Sequence, residues 1–121
     1  MSPMRHGLIL AALALALAGP ALADPPAGDA AKGKRVYLAD GCYECHGRVG
    51  QGGAFLGPTP SLAATELPYE AFLQQLREPV NNMPAYAASV LPEAQAADIY
   101  AYLKSLPGRP APDALPAALT H

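Results

Sequence analysis

The stretch GCYECHG, residues 41–47, governs how the rest of the chain is interpreted, because it joins two cysteines and a histidine. Cys42 and Cys45 are the only cysteines of the 121-residue chain, and His46 follows the second one directly. A zinc site, a redox-active dithiol and a covalently attached haem all use two cysteines at this spacing. The surrounding sequence has to distinguish these three uses.

The N-terminal segment has the pattern of a secretory signal. Arg5 and His6 precede an apolar run over residues 8–18, and an AxA triplet ends at Ala23. This pattern is typical of a signal peptide that is cleaved after the triplet. The alternatives are an uncleaved membrane anchor and a buried helix, but a membrane span needs about 20 apolar residues and this run is shorter. We therefore expect a periplasmic mature chain that begins at Asp24 and has no membrane span.

The mature chain offers few ligands and no basic cluster. It contains one methionine, Met83, and two histidines, His46 and His121. Its seven Lys and Arg residues stand against ten Asp and Glu residues, a net charge of about −3. Nucleic-acid binding calls for clustered positive charge, so we expect no nucleic-acid partner.

The chain divides into four expected parts: a signal peptide (1–23), a flexible start (24–28), a folded domain (29–106) and a disordered tail rich in proline and alanine (107–121). The tail has four prolines and no apolar periodicity, so it cannot bury enough surface to offset the entropy of ordering. A folded body of this size usually needs disulfides, a metal or a cofactor. Two cysteines cannot supply a disulfide framework.

Helical patterns account for the folded domain. The first predicted helix begins at the N-cap Asp29 and ends at Gly41. Its expected apolar face comprises Ala31, Val36, Leu38 and Ala39. The second lies within residues 61–78, with Pro68 at its first position and Phe72, Leu73 and Leu76 at helical spacing.

The third predicted helix opens at Pro92 and Glu93 and ends at Pro107. Its apolar stripe comprises Ile99, Tyr102, Leu103 and Leu106. No run alternates with period two for long enough to form a strand, so the sequence predicts an all-α fold. The Gly- and Pro-rich loop over residues 47–65 is long for so small a domain, and such a loop normally wraps something.

The context of the cysteines favours haem. A structural zinc site needs four ligands, whereas the mature chain adds only His121 to the three contiguous candidates. A dithiol motif of the thioredoxin type is expected beside strands, and none is predicted. In c-type attachment, Cys42 and Cys45 each add across one vinyl group, and His46 becomes the proximal iron ligand. The export signal agrees, because bacteria attach this haem outside the cytoplasm.

Met83 is the candidate for the second axial ligand. A lone methionine is usually core filler, but this one lies in a polar loop, NNMPAY, residues 81–86. Pro84 restricts it to an extended conformation, which suits a segment crossing the far face of the haem. The competing imidazole, His121, ends the tail. His/Met ligation would raise the reduction potential and fill both axial positions.

These motifs, together with GKRVY (residues 33–37) and DIYAYLKSLP (98–107), resemble a class I (monohaem) cytochrome c of the small bacterial periplasmic type. The resemblance covers residues 29–106. It implies a cytochrome c-like fold in which three to five short helices wrap around one covalently attached haem. It also implies packing of Gly33 and Tyr37 on the first helix against Tyr102 on the last.

The resemblance further implies a loop proline whose carbonyl accepts a hydrogen bond from Nδ1 of His46, and Pro58 and Pro60 compete for this role. Tyr86 resembles an aromatic that packs near the haem in related cytochromes, or it is an ordinary half-buried tyrosine. Arg48 and Arg77 are candidates for pairing with the haem propionates, the alternative being solvated surface charge. Asn81 and Asn82 either shape the turn or hydrogen-bond near the Met83 sulfur.

The leading functional hypothesis is outer-sphere electron transfer. The protein would be a soluble carrier, or the cytochrome subunit or acceptor of a periplasmic dehydrogenase, and its partners would be a dehydrogenase, an oxidase or a reductase. The alternative is a five-coordinate haem sensor or haem enzyme, against which Met83 argues. A thiol oxidoreductase using Cys42 and Cys45 is incompatible with covalent haem.

Overall fold

A computed structural model of the chain describes residues 24–53 and 58–110. The signal peptide predicted for residues 1–23 lies outside them, as does the tail beyond Pro110. The described residues form four helices: α1 (Ala30–Ala39), α2 (Cys42–His46), α3 (Tyr69–Arg77) and α4 (Glu93–Ser105). They contain no strand beyond one isolated bridge between Gly53 and Thr59. The predicted all-α class is confirmed.

Helix α1 begins as predicted, but its buried face is different. The Asp29 carboxylate caps it by accepting a hydrogen bond from the backbone N–H of Lys32. Gly33 and Tyr37 are its buried residues, whereas Ala31 and Ala39 are exposed, so that part of the predicted face is wrong. Each alanine lies two positions from a buried residue, which is about 200° around an α-helix and therefore on the opposite side.

Helix α4 is the centre of the core and packs on both α1 and α3. Tyr37 of α1 meets Tyr102 of α4 in an edge-to-face contact with ring centroids 5.5 Å apart. Ile99 and Leu103 are buried as the predicted stripe requires, while Leu106 lies just past the helix end and is half-buried. Three further residues of α4 are buried because the helix has two packing partners: Ala96, Ala97 and Tyr100.

Helix α3 begins one residue later than predicted. Pro68 is its N-cap, so the helix itself starts at Tyr69. Tyr69 and Phe72 pack against Tyr100 of α4, with centroid separations of 5.3 and 5.2 Å. This ring cluster fixes α3 against α4, and the last turn of α3 leads directly into the segment that carries Met83.

Helix α2 was not predicted, because five residues are too few to show a helical period. Gly41 makes it possible: its φ of 77° is left-handed, a conformation that side chains disfavour, and it separates α2 from α1. Gly47, with φ of 81°, ends the helix and begins the Gly- and Pro-rich loop.

Candidate haem-binding site

Both cysteines and the adjacent histidine lie on α2. Cys42 and Cys45 are free thiols, each half-buried, and their spacing places them on one face of a single helical turn. Burial, with a smaller contribution from the Asp40 carboxylate, raises the pKa of the Cys42 thiol to about 11. In the chain without haem, Cys42 is therefore a thiol rather than a thiolate at neutral pH.

The His46 ring is oriented by the loop that follows it. Its Nδ1 lies 3.1 Å from the carbonyl oxygen of Pro60. A carbonyl can only accept, so this contact requires the proton on Nδ1 and leaves the lone pair of Nε2 available for a metal. Of the two candidate prolines, the structure places the carbonyl of Pro60, rather than that of Pro58, at the imidazole.

Two core tyrosines hold the start of the same loop. The Tyr37 hydroxyl donates to the Gly47 carbonyl at 2.7 Å, and the Tyr102 hydroxyl donates to the Arg48 carbonyl at 3.0 Å. The rings that join α1 to α4 thus also fix the two residues that follow His46. The sequence marked these tyrosines as packing residues, and their hydrogen bonds to the loop were missed because only the folded backbone brings those carbonyls near.

Met83 is half-buried and packs against the hydrophobic core. The Nε2 of Gln75, on α3, donates to its sulfur atom at 3.5 Å. Asn81 has a φ of 60°, a left-handed conformation that asparagine tolerates, so it shapes the turn before Met83. Gln75 was missed in the sequence, where a glutamine on a helix carries no signal of such a contact.

The side chains expected near the propionates make contacts within the protein. The Arg77 guanidinium donates from Nη1 to the Tyr86 carbonyl at 2.7 Å, and the Tyr86 hydroxyl donates to the Asp40 carbonyl at 3.1 Å. The Arg48 guanidinium lies over the Tyr43 ring, 5.0 Å from its centroid. Propionate pairing by Arg48 or Arg77 stays a prediction, while Tyr86 is tied to the residue that caps the end of α1.

The donor set fits a covalently held haem. Two thiols stand one helical turn apart, the adjacent imidazole has Nε2 available, and a thioether lies in the segment after α3. Within the part of the chain that the structure describes, no three His, Cys, Asp or Glu side chains converge as a site for a bare metal ion requires.

Comparison with known protein families agrees with this chemistry. Residues 28–103, more than half of the chain, match the family described as cytochrome c oxidase, cbb3-type, subunit III, a cytochrome c domain. The chain belongs to this family. A search of curated proteins found no match.

Membership confirms several predictions for this cytochrome c domain. It confirms the resemblance to class I monohaem cytochromes c, the cytochrome c-like all-α fold and a covalently bound haem c as cofactor. It also indicates electron transfer with redox partners, and cytochrome c domains typically work outside the cytoplasm. None of the described helices is long and apolar enough to cross a membrane.

Proposed function

We propose that this cytochrome c domain carries single electrons in the periplasm through one haem c. Cys42 and Cys45 hold the haem by thioether bonds, and His46 and Met83 coordinate the iron. The contact between Nδ1 of His46 and the Pro60 carbonyl carries the proposal, because it fixes the tautomer and ring orientation of an axial histidine. A zinc site would orient a histidine in the same way, but it needs four ligands, and no cluster of that kind lies within the described residues.

The protein residues set what the cofactor can do. Bound haem supplies a one-electron couple between ferrous and ferric iron. The Met83 thioether favours the ferrous state and so raises the reduction potential. It also fills the position at which peroxide, O₂ or NO would otherwise bind, which favours a carrier over a haem sensor or haem enzyme.

The partners are redox proteins: a dehydrogenase that donates electrons, or an oxidase or reductase that accepts them. The protein is a free carrier or a subunit of such a complex. The matched family is named for an oxidase subunit, which favours an oxidase among the acceptors. The mature net charge of about −3 creates a field that salt screens, so the rate of partner encounter should depend on ionic strength. Copurification from the native host would identify the partner.

Covalent attachment and coordination can be tested on protein exported from a host that attaches haem c. We expect a c-type haemochrome spectrum, haem that stays on the chain through acid-acetone extraction, and a low-spin ferric form with a weak far-red sulfur-to-iron band. Cys42→Ala or Cys45→Ala should each leave one thioether and a labile product. Haem that extracts cleanly from the wild type would contradict covalent attachment.

Carbon monoxide binding separates a carrier from a sensor or enzyme. Ferrous wild type should resist CO at neutral pH, whereas ferrous Met83→Ala should bind it readily. Without CO, the ferric form of the variant should become high-spin, and its reduction potential should be lower than that of wild type. Val80→Ala is the matched control, since Val80 lies in the same segment and is 63% exposed. Stoichiometric CO binding by the wild type, unchanged in Met83→Ala, would leave Met83 as core filler and favour the sensor or enzyme.

A further inference from the structure

The segment that follows Met83, residues 84–90, is attached to the protein body mainly through one residue. Within the described segment 84–90, Tyr86 is the only residue that is not exposed. Val80 and Val90, at the two sides of the segment, are 63% and 67% exposed. Apart from the half-buried Met83 side chain and its contact with Gln75, this segment is therefore held by the contacts of Tyr86.

Tyr86 uses every polar group it has. Its backbone N–H donates to the Leu76 carbonyl at 2.8 Å, and its own carbonyl accepts from Nη1 of Arg77 at 2.7 Å. Its hydroxyl donates to the Asp40 carbonyl at 3.1 Å. We call these three hydrogen bonds the Tyr86 anchor.

The anchor connects two elements that are remote in sequence. Leu76 and Arg77 belong to the last turn of α3, whereas Asp40 caps the end of α1 and is followed by Gly41 and α2. One residue three positions after Met83 is thus bonded both to the helix that precedes the methionine and to the junction that leads into the cysteines.

We propose that Tyr86 is the positioning residue for the axial methionine, and that its anchor keeps Met83 on the iron against competing ligands. The inference rests on the proposed His/Met coordination. In this role Tyr86 neither coordinates the iron nor takes part in electron transfer, and it acts only through Met83. It raises the population of the conformation in which the thioether is in place, with Arg77 as its supporting donor.

The size of the effect follows from one hydrogen bond. Losing the hydroxyl contact destabilises the conformation in which Met83 is on the iron by about the net contribution of one hydrogen bond. The population of molecules in which Met83 has left the iron then rises roughly 5-fold. The apparent affinity of an external ligand scales with the competent fraction, so it should rise by about the same factor.

The test is an imidazole titration of the ferric holoprotein. The loss of the far-red sulfur-to-iron band measures how much imidazole has replaced Met83. Tyr86→Phe should bind imidazole about 5-fold more tightly than wild type and should keep its covalent haem. Tyr100→Phe is the matched control. Tyr100 lies on α4, and its hydroxyl also donates to a backbone carbonyl, that of Leu67, at 2.7 Å. It should leave the imidazole affinity unchanged. Urea unfolding of both variants measures the global loss of stability.

Arg77 provides a second, independent variant that keeps the proposal testable if Tyr86→Phe folds poorly. Arg77→Leu removes the donor to the Tyr86 carbonyl and should tighten imidazole binding, whereas Arg77→Lys keeps a donor and should restore part of the wild-type affinity. Equal shifts in Tyr86→Phe and Tyr100→Phe, or none in Tyr86→Phe and Arg77→Leu, would overturn the anchor alone. A wild type that lacks the far-red band would overturn both the anchor and the His/Met coordination.

Discussion

Gly33 of α1 lies directly against the backbone of Asp98 on α4. A Cβ atom at Gly33 would overlap the Asp98 carbonyl group and would lie 2.8 Å from the backbone nitrogen of Ile99. These neighbours are main-chain atoms of a helix, so no side-chain rotation can make room. The distance between the two helices therefore depends on the absence of a side chain at position 33.

Gly33→Ala should lower the free energy of unfolding of the holoprotein. Alanine is a better helix former by about 1 kcal/mol, but forced separation of packed helices typically costs about 1–3 kcal/mol, and here the overlap is with backbone. We expect a net loss of about 1–2 kcal/mol, measured by guanidinium unfolding followed by far-UV circular dichroism. Lys34→Ala, at an exposed neighbouring position, is the control and should change stability by less than about 0.5 kcal/mol. Equal values for the two variants would contradict the close approach.

The helices could be predicted from sequence where one packed face produces a periodic pattern of apolar residues. The stripe that includes Ile99 and Leu103 identified α4 because one face of that helix meets α1. Helix α2 has no such pattern, since it is short and has no buried residue. The face of α1 was partly misassigned because glycine has no apolar side chain, so the hydrophobic pattern did not include Gly33 and only the family resemblance marked it as a contact position.

The site was predictable to the extent that its chemistry requires particular residue types. Thiols at i and i+3 followed by histidine are chemically specific, whereas the choice between Pro58 and Pro60 depends on the path of an irregular loop. Gln75 could not be found at all, because its contact with Met83 arises only when the segment folds back on α3. Hydrogen bonds between distant backbone segments have no local sequence pattern.

Tyr37 should make the protein sensitive to alkaline pH. Burial is the main cause that raises its pKa above the ordinary value of 10. Above pH 10 the unfolded chain releases this proton and the folded protein retains it, so the free energy of unfolding falls as pH rises toward the raised pKa. The slope for one such group is up to about 1.4 kcal/mol per pH unit.

Tyr37→Phe should therefore lose less stability than wild type between pH 10 and pH 11. Its stability at pH 7 should be lower by about 1 kcal/mol, because the hydrogen bond to the Gly47 carbonyl is gone. Guanidinium midpoints across pH 7–11, read by far-UV circular dichroism, give both quantities. Burial also raises the pKa of Tyr86, to about 12. Tyr86 therefore lowers the free energy of unfolding at alkaline pH in both the wild type and the variant. Parallel curves for the two proteins would contradict the role of Tyr37.

Gln75 should tune the reduction potential through the Met83 sulfur. In the proposed His/Met coordination, the N–H that Gln75 donates to the sulfur draws electron density from the thioether and so favours ferrous over ferric iron. Removing about 1 kcal/mol of that preference in Gln75→Leu should lower the potential by roughly 40 mV, since 59 mV corresponds to a tenfold change for one electron. Spectroelectrochemical titration measures it. The control is Gln74→Leu, an exposed neighbour on α3, and an equal shift there would assign the effect to general polarity.

The folded state should depend on haem attachment. Among the described residues the buried hydrophobic core comprises eleven, and Cys42 and Met83 of the candidate site are only partly buried against it. A single core in a domain below about 80 residues rarely supplies more than about 3–5 kcal/mol, so losing the apolar cover of the haem should remove most of the stability.

The Cys42→Ser, Cys45→Ser double variant, expressed without haem attachment, tests this dependence. We expect far-UV circular dichroism to show little helix and heating to give no cooperative transition. Serine keeps the size of each side chain and adds no cavity, so the loss can be assigned to the missing thioethers and haem. The control is Met83→Ala in the haem-loaded form, which should retain helix and a cooperative transition because both thioethers persist. A sharp thermal transition in the double variant would mean that α1, α3 and α4 fold without the cofactor.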